Sequence, residues 1–176
     1  MEENINKIKS TAVLEMIRIA HEYNTFTEDL EKKKLEDIIS FYQKVLPLMY
    51  LKASLLPDVK VSDETANERY VAEEHWEAVF MKLKTQFAKA DEYWELDENN
   101  DSVKASLSEK LADIYQDTKD FVVLFQKNQM AAKENAIFEM KRLFKVHWGP
   151  RSNSVLSHLH TILYQKEIDQ ENELVY

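Results

Sequence analysis

Apolar side chains recur at intervals of three and four residues along most of the chain, which is the pattern of amphipathic α-helices. The first such segment runs from Ile5 to about Leu30, and the second runs from Leu35 to Ser54. The stripe of the second consists of Leu35, Ile38, Ile39, Tyr42, Val45, Leu46 and Met49. Pro47 lies inside this segment and predicts a kink, because proline removes one backbone donor and crowds the preceding turn.

Two polar segments flank a third predicted helix. Residues 57–70 are polar and aperiodic, so they predict a surface loop. The helix follows over residues 72–90, with one apolar face formed by Trp76, Phe80, Leu83 and Phe87. Residues 91–101 contain six acidic side chains and no basic one, and we interpret them as an acidic, solvated loop.

A capping box marks the start of the fourth predicted helix. Ser106 and Glu109 have the S-x-x-E spacing in which the serine side chain accepts a hydrogen bond from the backbone N–H three residues later. The apolar positions that follow are Leu107, Leu111, Ile114, Phe121, Val122 and Phe125.

The last helical segment, residues 136–164, contains the only glycine, Gly149, followed by Pro150. At 100° per residue its main apolar positions stay within about 40° of one direction on both sides of this step. These positions are Ile137, Phe144, Trp148, Val155, Leu159 and Ile162. The shared phase favours one long helix that is kinked at Gly149-Pro150, and a loop at this step is the alternative. Residues 166–176 predict a charged, frayed tail.

The composition agrees with an all-α fold. One glycine in 176 residues argues against β-rich folds and against phosphate-binding glycine loops, and good helix formers dominate the chain. We therefore predict a single-domain, up-and-down bundle of five or six helices over residues 1–165.

Charge and cysteine content narrow the possible functions. The net charge of −9 argues against general nucleic-acid binding, since the protein would repel the phosphate backbone. The absence of cysteine excludes disulfides, thiolate zinc sites and a cysteine nucleophile. No apolar run approaches the ~20 residues that span a bilayer, and the N-terminus is too polar for a signal peptide. We expect a soluble cytoplasmic protein with no membrane association.

The histidines and acidic residues do not predict a metal centre. No glutamate stands three residues before any of the five histidines, which excludes the di-iron Glu-x-x-His pattern. His158 and His160 are two residues apart and point in different directions on a helix. All-α nucleotide pyrophosphohydrolases hold magnesium with paired E-x-x-E and E-x-x-D runs. The two runs that come closest are 74–77 and 92–95, and this remains a weak alternative.

One group of polar side chains could form a site. Asp113, Asp117 and Asp120 share a face of the fourth helix, where they are either solvated or paired with cations. The cations that could pair with them are Lys52, Arg142, Lys145 and Arg151. The candidates for a ligand or interaction pocket near the kink are Tyr115, Asp117, Asp120, His147, Arg151 and His160.

Three segments, 46–57, 111–122 and 138–164, together resemble an uncharacterised bacterial helical family, domain of unknown function 5063. Residues 70–79 extend the resemblance over most of the chain. In that family a residue other than proline follows the tryptophan-glycine step within one helix, so Pro150 is a departure. His160 matches a common histidine, which directs attention to His160 and Trp148. The resemblance implies no activity, cofactor or catalytic residue.

These observations lead us to expect a non-enzymatic cytoplasmic domain that binds a protein partner and needs no cofactor or metal. Its candidate docking surfaces are the acidic segment 91–101 and the more basic segment 133–151. The alternative is a small-ligand-binding protein or a hydrolase, such as a divalent-metal-dependent nucleotide pyrophosphohydrolase, with a polar pocket near the kink. The oligomeric state is left open.

Overall fold

The structure, a computed structural model, describes residues 2–97 and 99–174, and the side chains of residues 3–97 and 99–165. Within these residues the chain forms a helical bundle with one small antiparallel hairpin. Its elements are α1 (Glu2–Ile8), α2 (Thr11–Glu28), α3 (Leu35–Ser54), α4 (Glu73–Phe87), β1 (Glu92–Leu96), β2 (Ser102–Ser106), α5 (Leu107–Phe125), α6 (Met130–Val146) and α7 (Trp148–Leu174).

Helix α5 lies at the centre of the bundle and packs against α2, α4, α6 and α7. Its buried side chains face several neighbours at once; the apolar ones are Leu107, Leu111, Ala112, Ile114, Tyr115, Phe121, Val122 and Leu124. This single core confirms the predicted all-α bundle. No helix in the described part of the chain is long and apolar enough to cross a membrane.

The predicted second helix is confirmed as α3, which continues through Pro47. Tyr42, on its buried face, shares a hydroxyl–hydroxyl hydrogen bond of 2.9 Å with Thr27 of α2. Tyr23 of α2 donates a hydrogen bond of 2.8 Å to the carbonyl oxygen of Leu111 in α5. These buried hydroxyls set the relative positions of the three helices, because each needs a partner in the interior.

The prediction of a single helix over residues 5–30 is wrong at its start, because the helix is interrupted between α1 and α2. Ser10 has an extended conformation, with φ −65° and ψ 150°, and it precedes the first residue of α2. Residues 57–70 are confirmed as mostly irregular, with one short 3₁₀ turn at Glu64–Ala66.

The acidic segment is not a loop, because residues 92–96 form strand β1 of the hairpin. Tyr93 pairs with Ala105 and Trp94 pairs with Lys104. Tyr93 is buried against the bundle, whereas Trp94 and Leu96 lie on the solvent face. The alternation is that of a half-buried strand.

The hairpin turn forms without glycine. Asn100 has a positive φ of 62°, a conformation that asparagine tolerates better than most residues. The Asp97 carboxylate accepts hydrogen bonds from the backbone N–H groups of Asn99 and Asp101, at 2.8 and 2.9 Å. These local bonds stabilise the turn. Glu98, which also belongs to the segment, lies outside the described residues.

The break near Gly149-Pro150 lies two residues earlier than predicted. Helix α6 ends at Val146, His147 leaves the helical region with φ −130° and ψ −80°, and α7 begins at Trp148. Pro150 therefore occupies the first turn of α7, where backbone N–H groups have no acceptor within the helix. The chain therefore has no loop at Gly149-Pro150, and the helix that contains this step does not continue back into α6.

Gly149 is required by a close backbone approach at this junction. A Cβ atom at this position would lie 2.1 Å from the Phe144 carbonyl oxygen, in the last turn of α6. The preceding residue, Trp148, is fully buried, and its ring centre is 5.0 Å from that of Phe144. Only glycine allows α7 to start this close to α6.

Helix α7 covers most of the segment that we predict as a charged tail. Its backbone departs from helical geometry at Tyr164, with φ −117° and ψ 15°, and then continues to Leu174. The side chains of residues 166–174, and residues 175 and 176 entirely, lie outside the described part of the chain. Fraying of this tail stays a prediction.

We predict that Gly149→Ala destabilises the protein by about 1–3 kcal/mol, because the added methyl group forces the α6–α7 junction apart. Urea unfolding followed by far-UV circular dichroism measures the change. Asn153→Ala, an exposed substitution in the same helix, is the matched control and should have little effect. Equal stability of both variants would contradict the close-approach argument.

Candidate functional site at the α6–α7 junction

The three aspartates on one face of α5 point towards different neighbouring elements. Asp113 contacts α4 and α7, Asp117 contacts the residue between α6 and α7, and Asp120 contacts the segment before α4. Asp113 forms the predicted kind of pair with one of the four candidate cations, Arg151. Asp117 contacts His147 instead, and Asp120 accepts hydrogen bonds from two backbone N–H groups.

Asp113 is held by two donors from different helices. Its Oδ1 accepts a hydrogen bond of 3.0 Å from the Trp76 indole N–H, and its Oδ2 accepts one of 2.8 Å from Nε of Arg151. Arg151 also donates from Nη1 to the His147 carbonyl oxygen at 3.1 Å. The guanidinium thus joins α5 to the start of α7 and satisfies a carbonyl that the helix break leaves free.

Asp117 and His147 form a closely spaced pair. Asp117 is only 2% exposed, and its Oδ2 lies 2.5 Å from Nδ1 of His147. The imidazole is partly exposed, and a proton on Nδ1 makes it the donor in this contact. The second carboxylate oxygen, Oδ1, has no hydrogen-bond partner among the described residues.

Asp120 caps the backbone before α4. Its Oδ1 accepts hydrogen bonds from the N–H groups of Tyr70 and Val71, at 2.8 and 2.9 Å. Its Oδ2 is buried without a hydrogen bond, and Nη1 of Arg69 stays 3.9 Å away. Burial raises the pKa of Asp120, and the two backbone donors offset part of this effect.

A small cavity lies beside Asp117 and Asp120, between α5, α6 and the turn at residues 67–69. Its volume is about 20 Å³, which is enough for one water-sized group. Its other lining residues are Asn67, Glu68, Arg69, Phe121, Leu124, Ala136, Glu139, Met140 and Leu143. The two carboxylate oxygens without partners thus belong to residues that line the same small space.

Four of the six predicted site residues lie around the junction, and two do not. Tyr115 faces away from the cluster and donates a hydrogen bond of 2.8 Å to Oε1 of Glu28. Burial and the Glu28 carboxylate raise the pKa of Tyr115 far above its ordinary value. His160 is exposed, and its ring centre is 4.8 Å from that of Tyr164. Neither side chain takes part in the Asp117–His147 cluster.

Two of the other cations that the sequence offered as partners, Lys52 and Arg142, form ion pairs elsewhere. Lys52 pairs with Glu15 at 2.7 Å, and Arg142 pairs with Glu139 of its own helix at 2.7 Å. Of the predicted cations, Arg151 forms the expected contact, through one nitrogen rather than as a bidentate pair.

A second polar cluster, which the sequence analysis did not identify, anchors the hairpin to the bundle. The Ser154 hydroxyl donates to Glu95 and contacts the Tyr93 hydroxyl at 2.6 Å. Lys110 donates to both Glu95 oxygens, at 2.5 and 2.6 Å, and to Ser154 at 2.8 Å. The segment holding Tyr93 and Glu95 looked like a loop in the sequence, so nothing in the sequence pointed to this cluster.

The Ser154–Lys110 contact resembles a nucleophile beside a base, but its surroundings oppose that role. A lysine that activates serine must accept the hydroxyl proton, so it must itself be neutral. Here Lys110 Nζ is the donor in all three of its contacts, to both Glu95 oxygens and to the Ser154 hydroxyl. Burial raises the pKa of Glu95, but the hydrogen bonds from Lys110 and Ser154 outweigh this and lower it. The cluster is therefore an ion-paired anchor.

The start of α5 carries a buried cap. Ser106 accepts a hydrogen bond of 3.1 Å from the Glu109 N–H, as the capping box predicts. Asp91, also buried, accepts 2.7 Å and 3.0 Å bonds from the Ser108 N–H and the Ser106 hydroxyl. The negative charge at the helix N-terminus is stabilising, and it ties the hairpin to α5.

The two charged segments that we expected to dock a partner form some of their ion pairs within the fold. In the acidic segment, Glu92 and Glu95 pair with Lys104 and Lys110. In the basic segment the internal pairs are Lys141–Asp58, Arg142–Glu139 and Arg151–Asp113. These pairs reduce the charge that each segment could offer to a partner, and docking through them stays a prediction.

No group of three or more histidine or acidic side chains in the described residues is arranged to hold a metal ion. Glu74 and Glu77 are exposed on α4, whereas Glu92 and Glu95 lie on β1. The E-x-x-E runs thus do not lie on a pair of facing helices.

Comparison with known proteins gives a family and similar solved structures. The family model described as Domain of unknown function (DUF5063) matches residues 7–165. The crystal structure of protein BF1032 from Bacteroides fragilis is 32% identical, with a TM-score of 0.81, over 89% of this chain and 94% of that chain. No curated protein matches the chain.

We predict that His147→Ala destabilises the protein by about 2–3 kcal/mol, because it leaves both oxygens of the buried Asp117 carboxylate without a partner. Urea unfolding at neutral pH measures the loss. His21→Ala, at an exposed position on α2, is the control and should change stability by less than about 0.5 kcal/mol. A similar value for His147→Ala would show that the pair contributes nothing to the fold.

Glu95→Gln should weaken the hairpin anchor in a pH-dependent way. The pKa of Glu95 is lowered in the folded protein, so its ion pair contributes stability above the ordinary value of 4.5 and loses it as the pH falls through the folded value. We expect a loss of about 1 kcal/mol at neutral pH that disappears in acid. Unfolding curves of wild type and variant across this range provide the measurement, and a pH-independent difference would contradict the linkage.

Proposed function

We propose that this chain, which belongs to the family described as Domain of unknown function (DUF5063), is a non-enzymatic protein-interaction domain of the cytoplasm. The family match confirms the resemblance found in the sequence. The observation that supports an interaction function is an apolar surface on α3 and in the groove between α3 and α7.

Helix α3 exposes three leucines in one stripe. Leu48, Leu51 and Leu55 are 43%, 53% and 56% exposed, and their spacing of three and four residues places them on one side of the helix. This side faces away from the buried Tyr42 and Met49. A helix that only needed to cover a core would carry polar residues here. Single exposed apolar residues are common, but an aligned group is typical of a binding surface.

The stripe continues into a groove between α3 and α7. The groove has a volume of about 260 Å³, and most of its lining is apolar. It is lined by Leu46, Pro47, Tyr50, Leu51, Ser54, Ser152, Asn153 and Leu156. Leu51 belongs to both features, so the stripe and the groove form one continuous surface. The Tyr50 ring makes an edge-to-face contact with the Phe144 ring, and the ring centres are 4.8 Å apart.

The shape and charge of this surface match an amphipathic helix of a partner protein. The stripe extends over about 10 Å, which corresponds to two helical turns and to apolar anchors spaced three, four or seven residues apart. Lys44 lies on the same face, one turn before Leu48, and has no acidic partner among the described residues. The partner helix should therefore carry an acidic residue at the end that lies near Lys44.

Pocket size argues against the alternative of a nucleotide hydrolase at the junction. The cavity beside Asp117 and Asp120 admits one water-sized group. A larger polar groove of about 460 Å³ lies between the hairpin, α5 and the start of α7. However, the Lys110 and Arg151 side chains in it already bind Glu95 and Asp113. The cavity is thus too small for a nucleotide, and in the groove these two cationic side chains are already paired with carboxylates.

The test uses a double substitution, Leu51→Glu with Leu55→Glu, which puts charge into the stripe. Met81→Glu on α4 is the matched control, because Met81 is 51% exposed and lies outside the surface. Quantitative affinity purification from the native host should recover one partner with wild type and with the control, but not with the double variant. A synthetic helix from that partner should then bind purified wild type in calorimetry.

The proposal fails if the double variant recovers the same proteins as wild type. Circular dichroism must first show that all three proteins fold equally, which we expect because the substituted side chains are exposed.

A further inference from the structure

Strand β1 has one edge that no strand of the described residues covers. The sheet consists of two strands there, and β2 is the element that runs alongside β1. Backbone hydrogen bonds from Asp97 to Asp101 and from Leu107 to Asp91 mark the two ends of the hairpin. Because bonded and non-bonded pairs alternate along antiparallel strands, the odd-numbered residues of β1 direct their backbone groups at β2. The backbone N–H and C=O groups of the even-numbered residues therefore point outwards, along a free edge.

This free edge carries two large apolar side chains. Trp94 and Leu96 are 66% and 67% exposed, and with Glu92 they are the even-numbered residues of β1. Tryptophan is among the most buried residues of proteins on average, and at the surface it is enriched in interfaces. A strand edge with unpaired backbone groups is a template on which another strand can pair. The edge of β1 thus combines apolar surface with free donors and acceptors.

The two edges of the hairpin differ in charge. The middle residue of β2 is Lys104, which lies directly opposite Trp94 and is 61% exposed. A lysine in the middle of an edge strand opposes pairing with a copy of that strand, because it would face a second lysine. Lys104 also pairs with Glu92 at 2.6 Å and so neutralises the carboxylate on the β1 edge. The hairpin is therefore protected along β2 and open along β1.

The open edge is complementary to a copy of itself. An antiparallel pair of β1 strands with a two-fold axis at Trp94 places this residue opposite its own copy and Glu92 opposite Leu96 of the second copy. In this register all outward backbone groups of both strands meet, and they form about six hydrogen bonds. None of these residue pairs has like charges. The next pair would be Asp91 with Asp97, whose like charges end the contact at the limits of the strands.

We propose that the open edge of β1 pairs with the same edge of a second copy of this chain, so that two hairpins form one four-stranded antiparallel sheet. The Trp94 rings of the two copies meet at the two-fold axis and cover each other's apolar surface. Pairing uses outward groups alone, so Tyr93 keeps its stacking on His158 and Glu95 keeps its bonds to Lys110. The contact is small, which places the dimer in the weak, transient class.

The dimer goes beyond the proposed function and does not depend on it. The β1 edge and the apolar surface on α3 share no residue, so a dimer carries two copies of that surface. A partner with two binding helices would engage both, and its second helix would bind at a high effective concentration.

Sedimentation equilibrium of the full chain measures the association at protein concentrations from about 5 to 500 μM. We expect the average mass to rise from monomer towards dimer, with a dissociation constant on the order of 10–100 μM. Trp94→Lys gives the β1 edge the protection that β2 already has, and it should raise the dissociation constant at least about 10-fold. Met81→Lys, at an apolar position on α4 that is 51% exposed, is the matched control and should associate like wild type.

Amide hydrogen exchange identifies the surface that associates. The backbone N–H groups of Glu92, Trp94 and Leu96 should exchange more slowly as the protein concentration rises, because the second copy accepts their hydrogen bonds. The double variant Leu51→Glu with Leu55→Glu, which tests the α3 surface, should keep both the association and this protection. Failure of the dimer can therefore be distinguished from failure of the proposed function.

A protein that stays monomeric at every concentration would overturn the proposal. Association without protection of the three amides would overturn it too, because it assigns the contact to another surface. The same holds if Trp94→Lys associates as strongly as wild type. Circular dichroism establishes that each variant folds, which we expect because Trp94 and Met81 are exposed. If Trp94→Lys does not fold, the exchange rates of the three amides in wild type decide the question.

Discussion

The central constraint on this structure is that α5 has neighbours on nearly every side, so its polar face cannot turn to solvent. Asp113, Asp117 and Asp120 therefore need partners from the elements that surround them, and each finds a different one. Burying a charge without a partner is more costly than the net gain from most single contacts. The three carboxylates thus determine where α4, the α6–α7 junction and the segment before α4 must lie, whereas apolar packing alone would tolerate small shifts.

The same constraint explains why side chains typical of active sites have structural roles here. An Asp–His pair, an arginine beside a carboxylate and a serine beside a lysine all occur in catalytic centres. In this chain, however, each of them joins two elements that meet at a break or at a hairpin. Arg151 satisfies the carbonyl of His147 where α6 ends, and Lys110 holds Glu95 where the hairpin meets the bundle. The space beside the Asp117–His147 pair holds only one small group. In the larger groove beside the hairpin, Lys110 and Arg151 are paired with Glu95 and Asp113.

Sequence periodicity predicted the fold class, α3, and the capped start of α5, because these depend on local spacing that the chain displays directly. It failed at two positions where the backbone turns at a residue other than glycine or proline. Asn100 adopts the positive φ that glycine normally supplies, so the hairpin carried no glycine mark. Helix α6 ends at His147, which is neither proline nor glycine. The nearby Gly149 instead permits a close backbone approach, and Pro150 lies in the first turn of α7.

The candidate site was predictable only in part for a related reason. A helical wheel shows that Asp113, Asp117 and Asp120 share a face and that His147 and Arg151 share another, so their pairing could be proposed. It does not show which side of a helix each neighbour covers, and Tyr115 and His160 consequently proved to lie elsewhere.

The position of α3 in the bundle connects the fold to the proposed interaction. Helix α5 is surrounded, but α3 packs mainly on α2 and α7 and leaves one side open. The exposed leucine stripe therefore does not disturb the packing of the core. Because the stripe lies on a helix packed against other helices, the protein loses little conformational entropy when a partner binds. If α3 served only to cover the core, polar residues at positions 48, 51 and 55 would improve solubility at no cost to packing. The presence of leucine at all three positions is the reason why we propose a partner that covers them.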